Sequence, residues 1–131
     1  MLELKHIKKV YHPGTVPEMC LFDDFNLTVK DGEFVSIVGS NGSGKTSMLN
    51  IICGTIPIEG GQVLIGGKDI SKMKDFQRYR TIGRVYQNPS MGTCPNLTML
   101  ENMSLADHKG KHFGLGFGIN KARENYYLSL I

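Results

Sequence analysis

The sequence predicts an α/β domain built around one phosphate-binding turn, and three observations carry that prediction. The first is Gly39-Ser40-Asn41-Gly42-Ser43-Gly44-Lys45-Thr46, which fits G-x-x-x-x-G-K-[ST]. The second is its setting. The nearly continuous apolar run Glu33–Val38 ahead of it reads as a buried parallel strand. Behind it, Met48, Leu49, Ile52 and Cys53 recur at helical spacing up to Gly54, which stands where a helix C-cap belongs. The third is the alternation of apolar and polar residues in Leu2–Ile7 and again in Phe25–Val29, which predicts an antiparallel β element feeding the core.

The remaining elements follow in chain order. Lys8–Tyr11 continues the first strand into a turn at His12-Pro13-Gly14, and Asp31-Gly32 is a hairpin signal ahead of the strand at 33–38. Ile56–Gly61 reads as a loop, Gln62–Ile65 as a short strand, Gly66-Gly67 as a tight turn and Lys68–Ile70 as the return. Asp75–Arg80 predicts a short helix and Ile82–Gln87 a strand, closed by Asn88-Pro89. After a loop to Asn96, Thr98-Met99-Leu100-Glu101 is a capping box that opens a helix to about Ala106. The glycine-, lysine- and histidine-rich stretch Asp107–Gly118 reads as a mobile loop, and Asn120 caps a last helix over 121–131. The sequence stops inside that helix without a capping glycine, so the expectation is an incomplete domain.

The 131 residues suffice for one ordinary domain with its own core. A formal charge of +3 is near balance and argues against a nucleic-acid binder, which carries a concentrated basic face. Cys20, Cys53 and Cys94 are odd in number, form no C-x-x-C pair, and two lie in apolar runs, which fits a reduced, cytosolic compartment. No apolar run approaches the ~20 residues of a membrane-spanning helix, so any work at a membrane is done from the side.

The chemistry of the turn is specific. Glycines let the backbone fold so that successive N–H groups point into one concavity suited to phosphate oxygens. The following helix adds its unpaired N-terminal N–H groups and the positive end of its dipole. Lys45 can reach the β- and γ-phosphates, and the Thr46 hydroxyl can ligate Mg²⁺, a cation that prefers hard oxygens.

By Gln87 the sequence resembles the N-terminal half of the ATP-binding subunit of an ABC transporter. The resemblance runs along essentially all 131 residues and rests on an ordered set: Tyr11, Leu21–Leu27, Asp31-Gly32-Glu33, the GSNGSGKTS loop, Gly60-Gly61-Gln62-Val63 with Gly67, and Val85-Tyr86-Gln87-Asn88-Pro89. It implies a P-loop NTPase core of RecA-like type over residues 1–88 and the start of a helical subdomain, cut short, over 89–131. It implies that Tyr11 stacks on adenine, that Gly39, Ser40, Asn41, Gly42, Ser43, Gly44, Lys45, Thr46 and Ser47 hold the phosphates, and that Lys45 acts in catalysis. Gln87 matches the glutamine that touches Mg²⁺ or the attacking water, a role an amide can fill with its acceptor and two donors. The implied ligands are ATP and Mg²⁺. The implied partners are transmembrane transporter subunits, a second copy of the ATPase subunit and, indirectly, a substrate-binding protein, at the cytoplasmic face of a cell membrane. The tail from Met91 to Lys121 resembles a bacterial subgroup that works with periplasmic or lipoprotein substrate-binding components, some associated with aromatic amino acids.

Phosphoryl transfer also needs an acidic metal-holding residue and a group that positions water. In this family an apolar strand ending in Asp-Glu, a later His and an LSGGQ-type helix start supply them, all beyond the matched half. Stretches that mimic such parts fail on context. Met19–Asp23 precedes the phosphate loop instead of following it, Leu64–Lys68 leads into a hairpin turn, and Asn120-Lys121-Ala122-Arg123 ends in a residue that cannot accept from guanine. Gly110 breaks the helix that would bring His108 and His112 together, and no strand-to-helix turn surrounds Gly114, Gly116 and Gly118. The expectation is therefore an ATPase subunit whose present residues bind nucleotide at most. The alternatives are a non-catalytic nucleotide-binding module and an ABC ATPase that serves DNA repair or translation. By the same resemblance, apolar strand edges are left unpaired, which favours self-association.

Overall fold

The computed structural model describes residues 1–109 and 118–130. The chain divides into two compact units, Met1–Arg78 and Tyr79–Ile131. Most of the stretch read as a mobile loop, 110–117, lies outside the described residues.

The first unit is organised on a four-stranded antiparallel sheet. Strands β1 (Leu2–Tyr11), β2 (Met19–Val29), β3 (Gly60–Ile65) and β4 (Lys68–Asp69) lie in the order β2-β1-β3-β4. β1 is central, and its Leu4, Ile7 and Val10 are buried. Strict alternation would place Leu4 and Ile7 on opposite faces. A bulge at His6, whose φ is 51°, resets the phase so that both turn inward. Across from it Asp24 is also left-handed, at φ 62°, and its carboxylate meets His6 Nδ1 at 2.5 Å. Asn26 closes the bulge by accepting from the His6 N–H at 2.8 Å and donating to the Asp24 carbonyl at 2.8 Å. On the other edge Gly61, at φ 91°, approaches so closely that a Cβ there would stand 2.4 Å from the His6 carbonyl oxygen.

Helix α1 (Lys45–Cys53) contributes Met48, Ile51 and Cys53 to the buried set, with Val63 from β3 and Ile70 beyond β4. Its end is fixed twice. Gly54 takes φ 79° and donates its N–H to the last turn, as the sequence predicts. Arg78, in the short helix α2 (Asp75–Arg78), is only 4% exposed and gathers four carbonyl oxygens: Ile51 at 2.8 Å, Ile52 at 3.1 Å, Ser71 at 2.7 Å and Met73 at 3.0 Å. A guanidinium suits this place, since its forked donors match several carbonyls and its charge meets the negative end of α1.

Two expected strands do not form among the described residues. Residues 33–38, expected as a buried parallel strand, form no strand and pair with none, with Phe34 95% and Val38 91% exposed. Residues 82–87, expected as a strand, are likewise unpaired, with Val85 97% exposed. The physical reason is common to both. A strand exists through its ladder, and the ladders among the described residues involve only β1 to β4.

Among the described residues, the second unit holds the 3₁₀ turn Pro89–Met91 and helices α3 (Met99–Asp107) and α4 (Lys121–Leu128). The capping box is present in full: Thr98 accepts from the Glu101 N–H, and Glu101 accepts from the Thr98 N–H at 2.7 Å. Asn120 caps α4 by accepting from the Arg123 N–H at 2.9 Å. Tyr127 is buried, with its hydroxyl on Asp107 at 3.2 Å. Cys53 is buried, whereas Cys20 and Cys94 are exposed, and all three are free thiols.

Arg78→Leu should destabilise the first unit by about 3 kcal/mol, since it strands buried carbonyls that burial does not tolerate unpaired; urea titration of both proteins checks this, and Arg78→Lys should recover only part of the loss. The exposed run at 33–38 should drive concentration-dependent association. Sedimentation velocity should show it, and Phe34→Glu together with Val38→Glu should reduce it; a monomer at every concentration would count against this reading.

Candidate functional site

The predicted phosphate-binding turn closes as its sequence requires. Gly42 and Gly44 adopt φ of 84° and 89°, conformations that side chains with a Cβ resist. Ser43 N–H bonds to the Ser40 carbonyl at 3.2 Å, which tightens the turn. Gly44 is the N-cap of α1, with no side-chain cap and no acidic residue in the first turn. The amide groups at that end, and the positive end of the dipole, are therefore not neutralised by a carboxylate of the helix's own first turn. Gly44 also lies against β2: a Cβ there would come within 3.1 Å of the Phe22 ring and 3.2 Å of Leu21.

Lys45 Nζ folds across the turn, donating to the carbonyls of Gly39 and Ser40 at 2.7 Å each, with Ser43 Oγ at 3.5 Å. Asn41 is exposed at the tip and Thr46 is exposed in the first turn of α1. This geometry can hold polyphosphate oxygens on N–H groups and one mobile ammonium. Thr46 can give one hard oxygen to Mg²⁺. No group of three or more His, Cys, Asp or Glu side chains is placed to hold a metal by itself among the described residues.

Tyr11, at the end of β1, reaches this turn. Its hydroxyl donates to Ser47 Oγ at 3.3 Å, so the residue expected to stack on the base and the end of the phosphate loop are joined directly. Sequence reasoning did not find the pair behind Tyr11. Lys9 is 5% exposed, and its ammonium contacts Glu59 Oε1 at 2.7 Å and stands 5.2 Å from the Tyr11 ring centre. Glu59 Oε2 accepts the Val10 N–H at 2.8 Å. Fifty positions separate Lys9 from Glu59, and no local spacing announces such a pair. Beside the turn, the stacked rings of Phe22 and Phe25, 4.8 Å apart, line an apolar cleft with Ile37, Val38 and Met48. Gln87 lies in the second unit and is exposed; its neighbour Tyr86 carries the Arg84 guanidinium over its ring at 4.5 Å.

The model of the ABC transporter family matches residues 22–129, and the chain belongs to that family. Within it, the chain is 41% identical over 115 residues to the tyrosine transport ATP-binding protein of Clostridioides difficile (strain R20291), covering 88% of this chain and 46% of that protein. It is 35% identical over 104 residues to the spermidine/putrescine import ATP-binding protein PotA of Mannheimia succiniciproducens, covering 79% of this chain and 26% of that protein. Among solved structures, a dimeric ATP-binding cassette in a post-hydrolysis state with ADP and Pi superposes with a TM-score of 0.76 at 34% identity, over 98% of this chain and 55% of that one. A nucleotide-free cassette from an ABC transporter gives 0.69 at 25% identity, over 97% of this chain and 45% of that one. The fold is thus that of the ABC cassette, within the P-loop NTPases, and the chain spans about half the length of the tyrosine transport relative and about a quarter of PotA. No helix among the described residues is long and apolar enough to cross a membrane.

Burial pushes the Glu59 carboxyl up, but the hydrogen bonds from Lys9 and from the Val10 N–H, with the Lys9 charge, outweigh it and hold the group below the usual glutamate range. A carboxyl depressed in the folded state stabilises the fold above its unfolded value and loses that contribution as pH falls through its folded value. The melting temperature should therefore drop on acidification below about pH 4.3, and Glu59→Gln should flatten that part of the profile in a thermal-melt series.

Proposed function

We propose that these residues bind MgATP, and that the whole protein is the ATP-binding subunit of an ABC transporter that couples ATP hydrolysis to movement of a solute. The observation that carries the binding proposal is the uncapped, carboxylate-free N-terminus of α1, opened by Gly44 and flanked by Lys45, with Tyr11 bonded to its first turn. Gly39 to Ser47 hold the phosphates through backbone N–H groups, Lys45 and hydroxyls. Thr46 gives an oxygen to Mg²⁺, and the Tyr11 ring carries the adenine, where a π face binds a purine with little demand on its edges. Lys45 neutralises charge that develops on the transferred phosphoryl group, and Gln87 serves the metal or the attacking water.

Hydrolysis and transport belong in this proposal to the full-length assembly. It comprises a second copy of the subunit and transmembrane subunits, with the ATPase peripheral on the cytoplasmic face and a substrate-binding component serving it indirectly. Dimeric cassettes among the solved relatives support the pairing of two copies. The relative named for tyrosine transport supports an aromatic amino acid as the class of solute.

The test is a calorimetric titration with MgATP. Lys45→Ala should weaken binding at least about tenfold, the equivalent of one charge-assisted contact or more. Unchanged binding by that variant would remove the phosphate-loop assignment.

A further inference from the structure

The placement of a buried cation behind Tyr11 asks for an explanation. A lysine ammonium withdrawn from water is costly unless it is fully partnered. Here Lys9 has two partners of different kinds, the Glu59 carboxylate at 2.7 Å and the ring of Tyr11 at 5.2 Å. Glu59 in turn holds the backbone of the next residue through the Val10 N–H at 2.8 Å, and its own N–H donates to the Lys8 carbonyl at 3.0 Å. At the far end of the ring, the hydroxyl is held by Ser47, beside Thr46 in the first turn of α1. The ring is therefore held at two places, on one face by a cation and at its hydroxyl by the helix that begins the proposed phosphate site, while Glu59 fixes the strand at Lys8 and Val10 that leads into it.

We propose that Glu59, Lys9 and Ser47 are positioning residues which hold the Tyr11 ring as a base platform at a set distance from the phosphate loop, so that the site selects a nucleoside triphosphate over a bare polyphosphate. This rests on the nucleotide-binding reading above and adds to it the source of the base's contribution. Lys9 lies over one face of the ring, and the purine is assigned to the other. The salt bridge prevents the ammonium from leaving that face for water. The bond to Ser47 ties the tilt of the ring to the helix whose N-terminus meets the phosphates. None of the three touches the base itself.

The experiment compares two ligands that share phosphates and differ in the base. MgATP and magnesium tripolyphosphate are titrated into the full chain and into Lys9→Met, Lys9→Arg, Glu59→Gln, Tyr11→Ala and the double variant Lys9→Met with Tyr11→Ala, each checked for folding by circular dichroism. Lys9→Met should weaken ATP about five- to tenfold, within the range for loss of a desolvated cation–ring contact, and leave tripolyphosphate within about twofold. Lys9→Arg should keep the preference for ATP, because a guanidinium retains both the charge and the ring contact. In the Tyr11→Ala background, Lys9→Met should have no further effect. Should Lys9→Met fail to fold, Glu59→Gln, which keeps an acceptor for the Val10 N–H but removes the charge, should show the same selective loss in smaller measure. Equal weakening of both ligands, no change in either, or a further loss beyond Tyr11→Ala would overturn the positioning role. Lys45→Ala separates that outcome from failure of the underlying reading. If it abolishes binding of both ligands while Lys9→Met moves them together, only the positioning role falls. If it changes neither, the nucleotide site falls and the positioning role with it.

Discussion

The proposed phosphate site depends on a helix that begins without a side-chain cap of its own. Most helices satisfy their first amide groups with a serine, threonine or acidic side chain, as α3 does through Thr98 and Glu101 and α4 through Asn120. At α1 a glycine at φ 89° stands in that place, and no carboxylate lies in the first turn. Those N–H groups and the dipole remain available to an anion, and the surrounding features keep them so. Gly54 and Arg78 hold the opposite end of the helix, where the charge is of the other sign. Leu21 and Phe22 of β2 close against Gly44, and Tyr11 of β1 bonds to Ser47. The antiparallel sheet thus braces the helix start from two of its strands.

Local grammar was legible in the sequence, and long-range partnership was not. The glycine loop, the limits of α1, the Gly66-Gly67 turn, the capping box at Thr98 and the Asn120 cap all depend on residues within a few positions of one another, and each appears where the sequence places it. The β1 bulge was hidden because Leu2, Leu4 and His6 alternate convincingly, while the residue that turns inward is Ile7. Only Asp24 and Asn26 on the neighbouring strand make the shift possible. The Lys9–Glu59 pair was hidden for the same reason, since a buried lysine is recognisable only beside its acceptor. For the candidate site, the glycine loop and the helix it opens could be read directly, and Tyr11 was pointed to by the family resemblance; its partners Lys9 and Ser47 could not be read.

The runs at 33–38 and 82–87 make the complementary point. Their composition expresses a strand apolar on both faces, and that composition has meaning only when neighbouring strands cover it. Among the described residues those neighbours are lacking, and side chains such as Phe34 and Val85 stand in solvent. Composition records the environment a segment is suited to, whereas backbone pairing records the one it has. The two coincide in β1 and β3 and part company here.

The strand order β2-β1-β3-β4 carries a consequence for how the chain is made. β1 is synthesised first and sits in the middle. One edge can zip to β2 as soon as residue 29 has emerged, but the other waits for β3 at 60–65, with the phosphate loop and α1 made in between. The Lys9–Glu59 bridge closes on that same late edge. On a ribosome adding about 5–20 residues per second, the central strand spends seconds with one side open, and Gly61 must reach the His6 bulge before the sheet is sealed. The sheet is finished only after the helix start that it braces has been made.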